Sequence, residues 1–156
     1  MPDDESAEIG LASPIGPLTV AERGAAIVAL RWGSPRCECQ TPLLASAKAQ
    51  LEGYFYRGLT KFDLPLTPEG TAFDQRVWQS MLEIPHGRTR SYGEIAAALG
   101  GTARAVGTAC GRNPIPIIIP CHRVVGADGA LVGYSGGAGI ETKQALLALE
   151  GVLLAL

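Results

Sequence analysis

No stretch of this 156-residue sequence is apolar for long enough to cross a membrane. The opening Met1-Pro2-Asp3-Asp4-Glu5 is acidic, unlike the basic and then apolar start of a secretory leader. Paired cysteines are scarce too. There are four cysteines, and Cys37-Glu38-Cys39 has no second pair near it, which argues against a closed zinc site. With no leader, the thiols are expected to be reduced, in a cytoplasm. Nor is there an excess of positive charge: the net charge is −2. That is a poor profile for a uniformly basic nucleic-acid coat, and only a local patch could serve such a role. What remains, at 47% hydrophobic and 18% charged residues, is a globular chain able to bury a core, as one domain or two small packed subdomains.

The charge is unevenly spread. Residues 1–85 carry seven Lys and Arg against eleven acids, whereas residues 86–125 carry five arginines and one acid, Glu94. Residues 126–156 carry one lysine and three acids. The positive charge therefore gathers just before and within the stretch with the most chemistry.

In chain order, residues 1–8 read as an acidic, solvated tail. Ile15 to Trp32 alternates around Arg23-Gly24 as a β-hairpin. Thr41-Pro42 caps a helix carrying Leu44, Ala47, Leu51 and Phe55 at helical spacing and closing at Arg57-Gly58. Phe62, Leu64 and Leu66 alternate as a short strand, with Pro65 favouring an edge. This makes an α/β subdomain over 9–66, with a hinge at Thr67-Pro68-Glu69-Gly70. Thr71 starts a helix to Ile84. Ser91-x-x-Glu94 is a capping box for a helix from Tyr92 to Leu99, stopped by Gly100-Gly101. Thr102 caps a second helix, Ala103 to Arg112, rich in small residues. Two short helices across a glycine turn, the second bearing arginines, are helix-turn-helix organisation. Val124-Val125 and Leu131-Val132 flank Asp128-Gly129 as a hairpin. A last helix runs from about Ile140 to Glu150 with Ala145, Leu146 and Leu149 inward, and Val152 to Leu156 packs as an apolar tail.

The chain is organised around Asn113-Pro-Ile-Pro-Ile-Ile-Ile-Pro-Cys-His-Arg123. Pro114, Pro116 and Pro120 rule out an ordinary helix, and the residues before them are pushed towards extended geometry. The isoleucines suit a buried extended segment. Cys121 is then expected where a rigid, water-poor strand opens into a turn. A thiol must ionise to react, and electropositive neighbours such as His122 and Arg123 favour that. A free cysteine is more often a small core residue; the Pro-Cys-His-Arg string tips the reading towards a nucleophile.

That string, continued by Val124-Val125 and by Gly133-Tyr134-Ser135-Gly136-Gly137, resembles the O6-alkylguanine-DNA alkyltransferases, densely from Thr89 to Gly137 and more loosely over Thr71 to Gly151. The resemblance implies an α+β fold. A small ribonuclease-H-like subdomain would precede a mainly helical, winged-helix-like domain over 67–156. It implies direct-reversal repair, with single-turnover transfer of an alkyl group from O6-alkylguanine, and from O4-methylthymine, to Cys121. The partner is double-stranded DNA approached from the minor groove by a monomer, with neither cofactor nor metal. His122 would take the thiol proton through water, oriented by Glu150. Tyr92 would donate a proton to the departing guanine, and Asn113 would brace the nucleophile's turn. Arg104 would replace the flipped base, although a phosphate contact suits it equally from sequence. Thr102, Ala105, Arg112 and Arg123 would contact DNA, and Tyr134, Ser135 and Val124 would line the base pocket.

Three other readings compete. A cysteine hydrolase needs a Cys-His pair, but its histidine is ordinarily distant in sequence, not adjacent. A pure lesion-recognition module would lack the nucleophile that Cys121 supplies. A transcriptional regulator built on the helix-turn-helix would carry a further domain, for which 156 residues leave no room.

Overall fold

The computed structural model describes residues 6–134 and 136–152. The chain divides into two compact units, the first ending at Glu69 and the second beginning at Gly70.

The first unit is an antiparallel meander, β1 (Ala7–Leu11), β2 (Leu18–Arg23) and β3 (Ala26–Trp32), with α1 (Pro42–Tyr56) packed on it. The β2–β3 turn runs through Gly24 and Ala25 at φ 64° and 63°, the left-handed pair that a tight two-residue hairpin demands. Thr41 caps α1 by accepting the Leu44 N–H at 3.0 Å, with Pro42 at the first helical position. Leu44, Ala47, Leu51, Tyr54 and Phe55 of α1 are buried, as are Ile9, Leu18, Val20, Ile27 and Leu30 of the sheet. Each of these leucine, isoleucine, valine and phenylalanine side chains contributes about 1.5–3 kcal/mol when fully buried.

Two expectations need correction here. The acidic tail does not reach residue 8: Ala7 and Glu8 belong to β1, and Glu8 is buried because Arg31 neutralises it at 2.9 Å. Phe62 to Leu66 is not a strand. Its sheet contact is an isolated bridge between Leu66 and Ile27, made through Ile27 N–H to Pro65 O and Thr67 N–H to Ile27 O. Proline at 65 has no N–H to extend the ladder. Thr67 is thereby tied to the first unit.

The second unit holds α2 (Ala72–Leu82), β4 (Arg90–Ser91), α3 (Tyr92–Leu99), α4 (Ala103–Gly111), β5 (Val124–Val125) and α5 (Ile140–Leu149). Thr71 and Ser91 each close a full capping box, with Asp74 and Glu94 respectively. Gly100 ends α3 in the left-handed conformation, and Thr102 caps α4. α3 and α4 pack on each other and both on α2. Trp78 fills the centre, its indole N–H donating to Ala109 O at 2.9 Å.

The segment after Cys121 differs from the expected hairpin. Val124 and Val125 pair in parallel with Arg90 and Ser91, and Ala127–Gly129 forms a single 3-10 turn. Gly126 N–H to Ala130 O at 2.7 Å closes that turn, so Leu131 and Val132 never reach strand register. In α5 the inward residues are Thr142, Lys143, Leu146 and Leu147, not Ala145 and Leu149; Leu149 is 42% exposed. Of the apolar tail, Val152 is described and Leu153 to Leu156 lie outside the described residues.

Candidate active site

The proline-braced run is buried as expected but is not extended. Ile115, Ile117, Ile118 and Ile119 are at most 4% exposed. Yet the chain turns back on itself, with Ile119 N–H bonding Ile115 O at 2.9 Å and Ile117 at φ 74°. A β-branched residue in that region is strained by about 1–3 kcal/mol. Burial of four isoleucines offsets it, and Asn113 ties the loop. The Asn113 Oδ1 accepts the Ile115 N–H at 2.9 Å and its Nδ2 donates to Ile119 O at 2.8 Å. Local sequence rules missed the fold-back because three prolines favour extended backbone only at the residues before them; Ile117 precedes none.

This loop delivers Cys121 into one turn of 3-10 helix, Cys121–Arg123, rather than to a strand end. Cys121 is 8% exposed. Burial pushes its thiol pKa up, while the Asn113 amide and the Lys143 ammonium pull it back. In this environment the thiol is neutral at pH 7 and needs a base.

The next residue in sequence is able to serve as one. His122 is fully buried, and its Nε2 lies 2.7 Å from Glu150 Oε2. Burial lowers the imidazole pKa, against the pull of Glu150, so the ring is neutral. A carboxylate can only accept, which assigns the proton to Nε2 and leaves the lone pair on Nδ1. Nδ1 is buried with no hydrogen-bond partner among the described residues. Glu150, 5% exposed, is also gripped by Arg123, from Nε to Oε1 at 2.8 Å and from NH2 to Oε2 at 3.0 Å. Arg123 NH1 donates to Ile84 O at 2.6 Å. Arg123 is therefore a buried partner of Glu150 and not a DNA contact as its sequence context suggested: at 7% exposure it cannot reach a phosphate.

Lys143 joins the site, although the sequence assigns it no role. It is fully buried. Its Nζ donates to Val132 O at 2.8 Å, to Gly133 O at 3.4 Å and to the Tyr92 hydroxyl at 3.4 Å. Burial lowers its pKa. The signal was present: Lys143, Leu146, Leu147 and Glu150 recur at i, i+3, i+4 and i+7, one face of α5. Tyr92 donates to Val132 O at 3.1 Å, and burial raises its phenol pKa, so it keeps its proton at neutral pH. Gly107 of α4 faces the Tyr92 ring, where an added Cβ would make an ordinary contact at 4.0 Å. Cys110, on the same face of α4, is pushed up to about 12, chiefly by burial, and its thiol contacts Met81 Sδ at 3.6 Å. Its thiol is therefore neutral at pH 7.

Of the remaining expected site residues, Val124 is fully buried directly after the 3-10 turn. Tyr134 is half-buried, with its pKa raised by burial, and Ser135 lies outside the described residues. Thr102 is exposed and spends its hydroxyl capping Ala105 N–H at 3.1 Å. Ala105 is half-buried, and Arg104 is exposed in the first turn of α4. Arg112 leans on the buried carboxylate of Asp74 at 3.2 Å while its side chain stays 58% exposed.

A buried cysteine, a histidine held by a buried carboxylate and a helix-turn-helix bearing an exposed arginine define a DNA-directed thiol chemistry. The comparisons with known proteins agree. Residues 72–152 match the family described as 6-O-methylguanine DNA methyltransferase, DNA binding domain. Residues 9–68 match its ribonuclease-like domain. The chain is 52% identical over 147 residues to a methylated-DNA–protein-cysteine methyltransferase of Mycobacterium tuberculosis, spanning 88% of each chain. It is 46% identical over 149 residues to one of Methanosarcina acetivorans, spanning 89% of this chain and 94% of that one. In structure it superposes on the Mycobacterium tuberculosis O6-methylguanine methyltransferase with a TM-score of 0.81 at 48% identity, covering 93% and 92% of the two chains. A DNA complex of the Mycobacterium tuberculosis protein gives a TM-score of 0.83 at 49% identity, covering 92% of each. The chain belongs to the methylated-DNA–protein-cysteine methyltransferases, the O6-alkylguanine-DNA alkyltransferase family. The α+β fold, a small ribonuclease-like unit followed by a mainly helical DNA-binding unit, is that of the family.

Proposed function

We propose that this protein repairs alkylated DNA by moving the alkyl group of O6-alkylguanine, and of O4-methylthymine, onto Cys121, once per molecule. The observation that supports this most directly is the buried run Cys121-His122-Arg123 joined to Glu150, at 2.7 Å from His122 and 2.8 Å from Arg123. The thiol proton passes to His122 Nδ1 through a bridging water, and Glu150 holds the resulting imidazolium. Sulfur then attacks the alkyl carbon as its bond to O6 breaks. The departing guanine takes a proton from Tyr92, and the tyrosinate regains one from the His122 imidazolium through solvent, so the proton lost by the thiol balances the one gained by the base. Lys143 carries Tyr92 and the 132–133 backbone as one piece. The product is a thioether, which water does not cleave as it would a thioester, so Cys121 is consumed.

Intact-protein mass spectrometry after mixing with duplex DNA containing O6-methylguanine tests this. One methyl replaces one hydrogen on Cys121, and Cys121→Ser abolishes the transfer while still binding DNA. A serine variant that still demethylates would move the acceptor elsewhere.

A base in a duplex must leave the stack before Cys121 can reach it. The small-residue helix α4 enters the minor groove, with the protein acting as a monomer in the cytoplasm. Arg104, exposed at the start of α4, fills the vacated space. Unstacking costs a few kcal/mol, so Arg104→Ala slows duplex repair by about 10- to 100-fold, with little loss on a free O6-benzylguanine base. Lowering the salt recovers little. A phosphate contact would instead be rescued by low salt, and equal losses on both substrates would remove the flipping role.

A further inference from the structure

The arginines of the second unit fall into two groups. Arg76 donates to Leu99 O at 2.8 Å, Arg112 pairs with Asp74 at 3.2 Å and Arg123 pairs with Glu150 at 2.8 Å. Arg88, Arg90 and Arg104 have no such partner among the described residues. Among the described residues, no acid of this unit forms an ion pair with any of the three. Glu94 accepts the Ser91 N–H at 2.8 Å in its capping box, Asp74 holds Arg112, and Glu150 holds Arg123 and His122. Asp128 sits in the turn packed against β4 and pairs with neither Arg88 nor Arg90.

Arg90 is placed by the fold beside the chemistry. It forms β4 with Ser91, the residue that caps α3, and Tyr92 follows. Its register partner across the two-stranded sheet is Val124, the first residue after the Cys121–Arg123 turn. Arg88 is exposed and stands two residues earlier. Arg104 opens α4, the helix packed on α3. Uncompensated cations thus precede Tyr92 on one side and start the neighbouring helix on the other. A cation kept free of acids beside a reactive pocket attracts an anion from outside the protein.

We propose that Arg88 and Arg90 bind DNA backbone phosphates next to the target nucleotide, on the α3 side of the pocket. This rests on the DNA-repair reading above. Guanidinium suits the role because it stays charged and grips phosphate oxygens in pairs. These contacts carry no sequence preference, which fits a protein whose lesion can lie in any context.

The test is the salt dependence of binding to an undamaged duplex, read as the slope of log affinity against log salt concentration. Each neutralised phosphate contributes about 0.9 to that slope. Arg88→Gln and Arg90→Gln should each make it shallower by about that amount and weaken binding alike across sequences, and the double variant by about 1.8. Arg88→Lys and Arg90→Lys, which keep the charge, should restore the slope. A loss of structure would not be rescued in that pattern. A Gln variant whose slope matches the wild type removes its residue from the phosphate set, and two such variants overturn the proposal. Failure of the underlying reading shows separately: wild-type protein would then take no methyl from DNA, whatever its salt slope.

Discussion

Among the described residues, two buried glutamates are gripped by an arginine fork, and they differ in what else they hold. In the first unit Glu8 receives Arg31 NH1 at 2.9 Å and NH2 at 3.1 Å, plus the Arg36 N–H at 3.0 Å. In the second, Glu150 receives Arg123 Nε at 2.8 Å and NH2 at 3.0 Å, plus His122 Nε2 at 2.7 Å. Both arginines are bidentate, Arg31 end-on through NH1 and NH2 and Arg123 side-on through Nε and NH2. Around Glu8 the third partner is a backbone amide, which cannot change its charge, so the network pins a loop to β1. Around Glu150 the third partner is a ring whose other nitrogen can take a proton. Solvent separates them too: the Arg31 side chain is 39% exposed, against 8% for Arg123. A carboxylate–arginine pair acquires a chemical use when it is dry and when a titratable group completes it.

Breaking the second network should have the largest effect. Glu150→Gln leaves Arg123 buried without a countercharge, at a cost of about 3–5 kcal/mol, readable as an earlier urea midpoint. It also removes the charge that stabilises the His122 imidazolium, so alkyl transfer should slow by about 100-fold or more. The apparent pKa of Cys121, followed with a thiolate-specific alkylator, should rise. Unchanged stability together with an unchanged thiol profile would refute the division of labour drawn here.

A milder perturbation is pH. Burial holds His122 below its ordinary value of about 6.5, so between that value and the folded one the unfolded chain binds more protons. Stability then rises with pH, and the second unit loses it as pH falls below about 6.5. Glu8 behaves otherwise. Arg31 holds its pKa down, so its contribution is intact above the ordinary glutamate value and disappears only as pH falls through the lower folded one. Amide exchange should show the second unit loosening first on acidification. Simultaneous loosening, or the same onset in His122→Gln, would mean that the imidazole is not the trigger.

How far the sequence reached follows the range of the interactions. Helix starts were legible because Thr41, Thr71, Ser91 and Thr102 cap within three residues of themselves. The grouping of Cys121 and His122 was legible because they are adjacent, and the Glu150 contact with His122 because the resemblance named it. Arg123 was misread because the burial that turns it inward comes from Glu150, 27 residues on, and Ile84, 39 residues back. The Ile115–Ile119 fold-back depends on an asparagine side chain reaching six residues along, to Ile119 O, which no propensity encodes. β4–β5 failed for the same reason: two residues pairing in parallel across the unit leave no alternation to read.

The smallest expected effect gives the comparison its sharpest control. Glu8→Gln removes a charge from the other bidentate network but leaves the chemistry untouched. The substituted amide keeps one oxygen, enough for the Arg36 N–H or one arm of Arg31. Arg31, being 39% exposed, can give its freed donors to water, so no buried cation is stranded. Exposed or half-exposed pairs are worth about 0–1 kcal/mol, and a lost hydrogen bond to a charged group adds about 1 kcal/mol or a little more. A drop of about 1–2 kcal/mol in unfolding free energy is expected, shrinking as salt screens the half-exposed pair. The Glu150→Gln loss, deep in the protein, should barely respond to salt. Rates of alkyl transfer to Cys121 and its thiol pH profile should match the wild type. If Glu8→Gln instead cost as much as Glu150→Gln, exposure of the arginine would not be what separates the pairs. If it slowed transfer, the first unit would act on the reaction, and the assignment of chemistry to the second unit alone would fail.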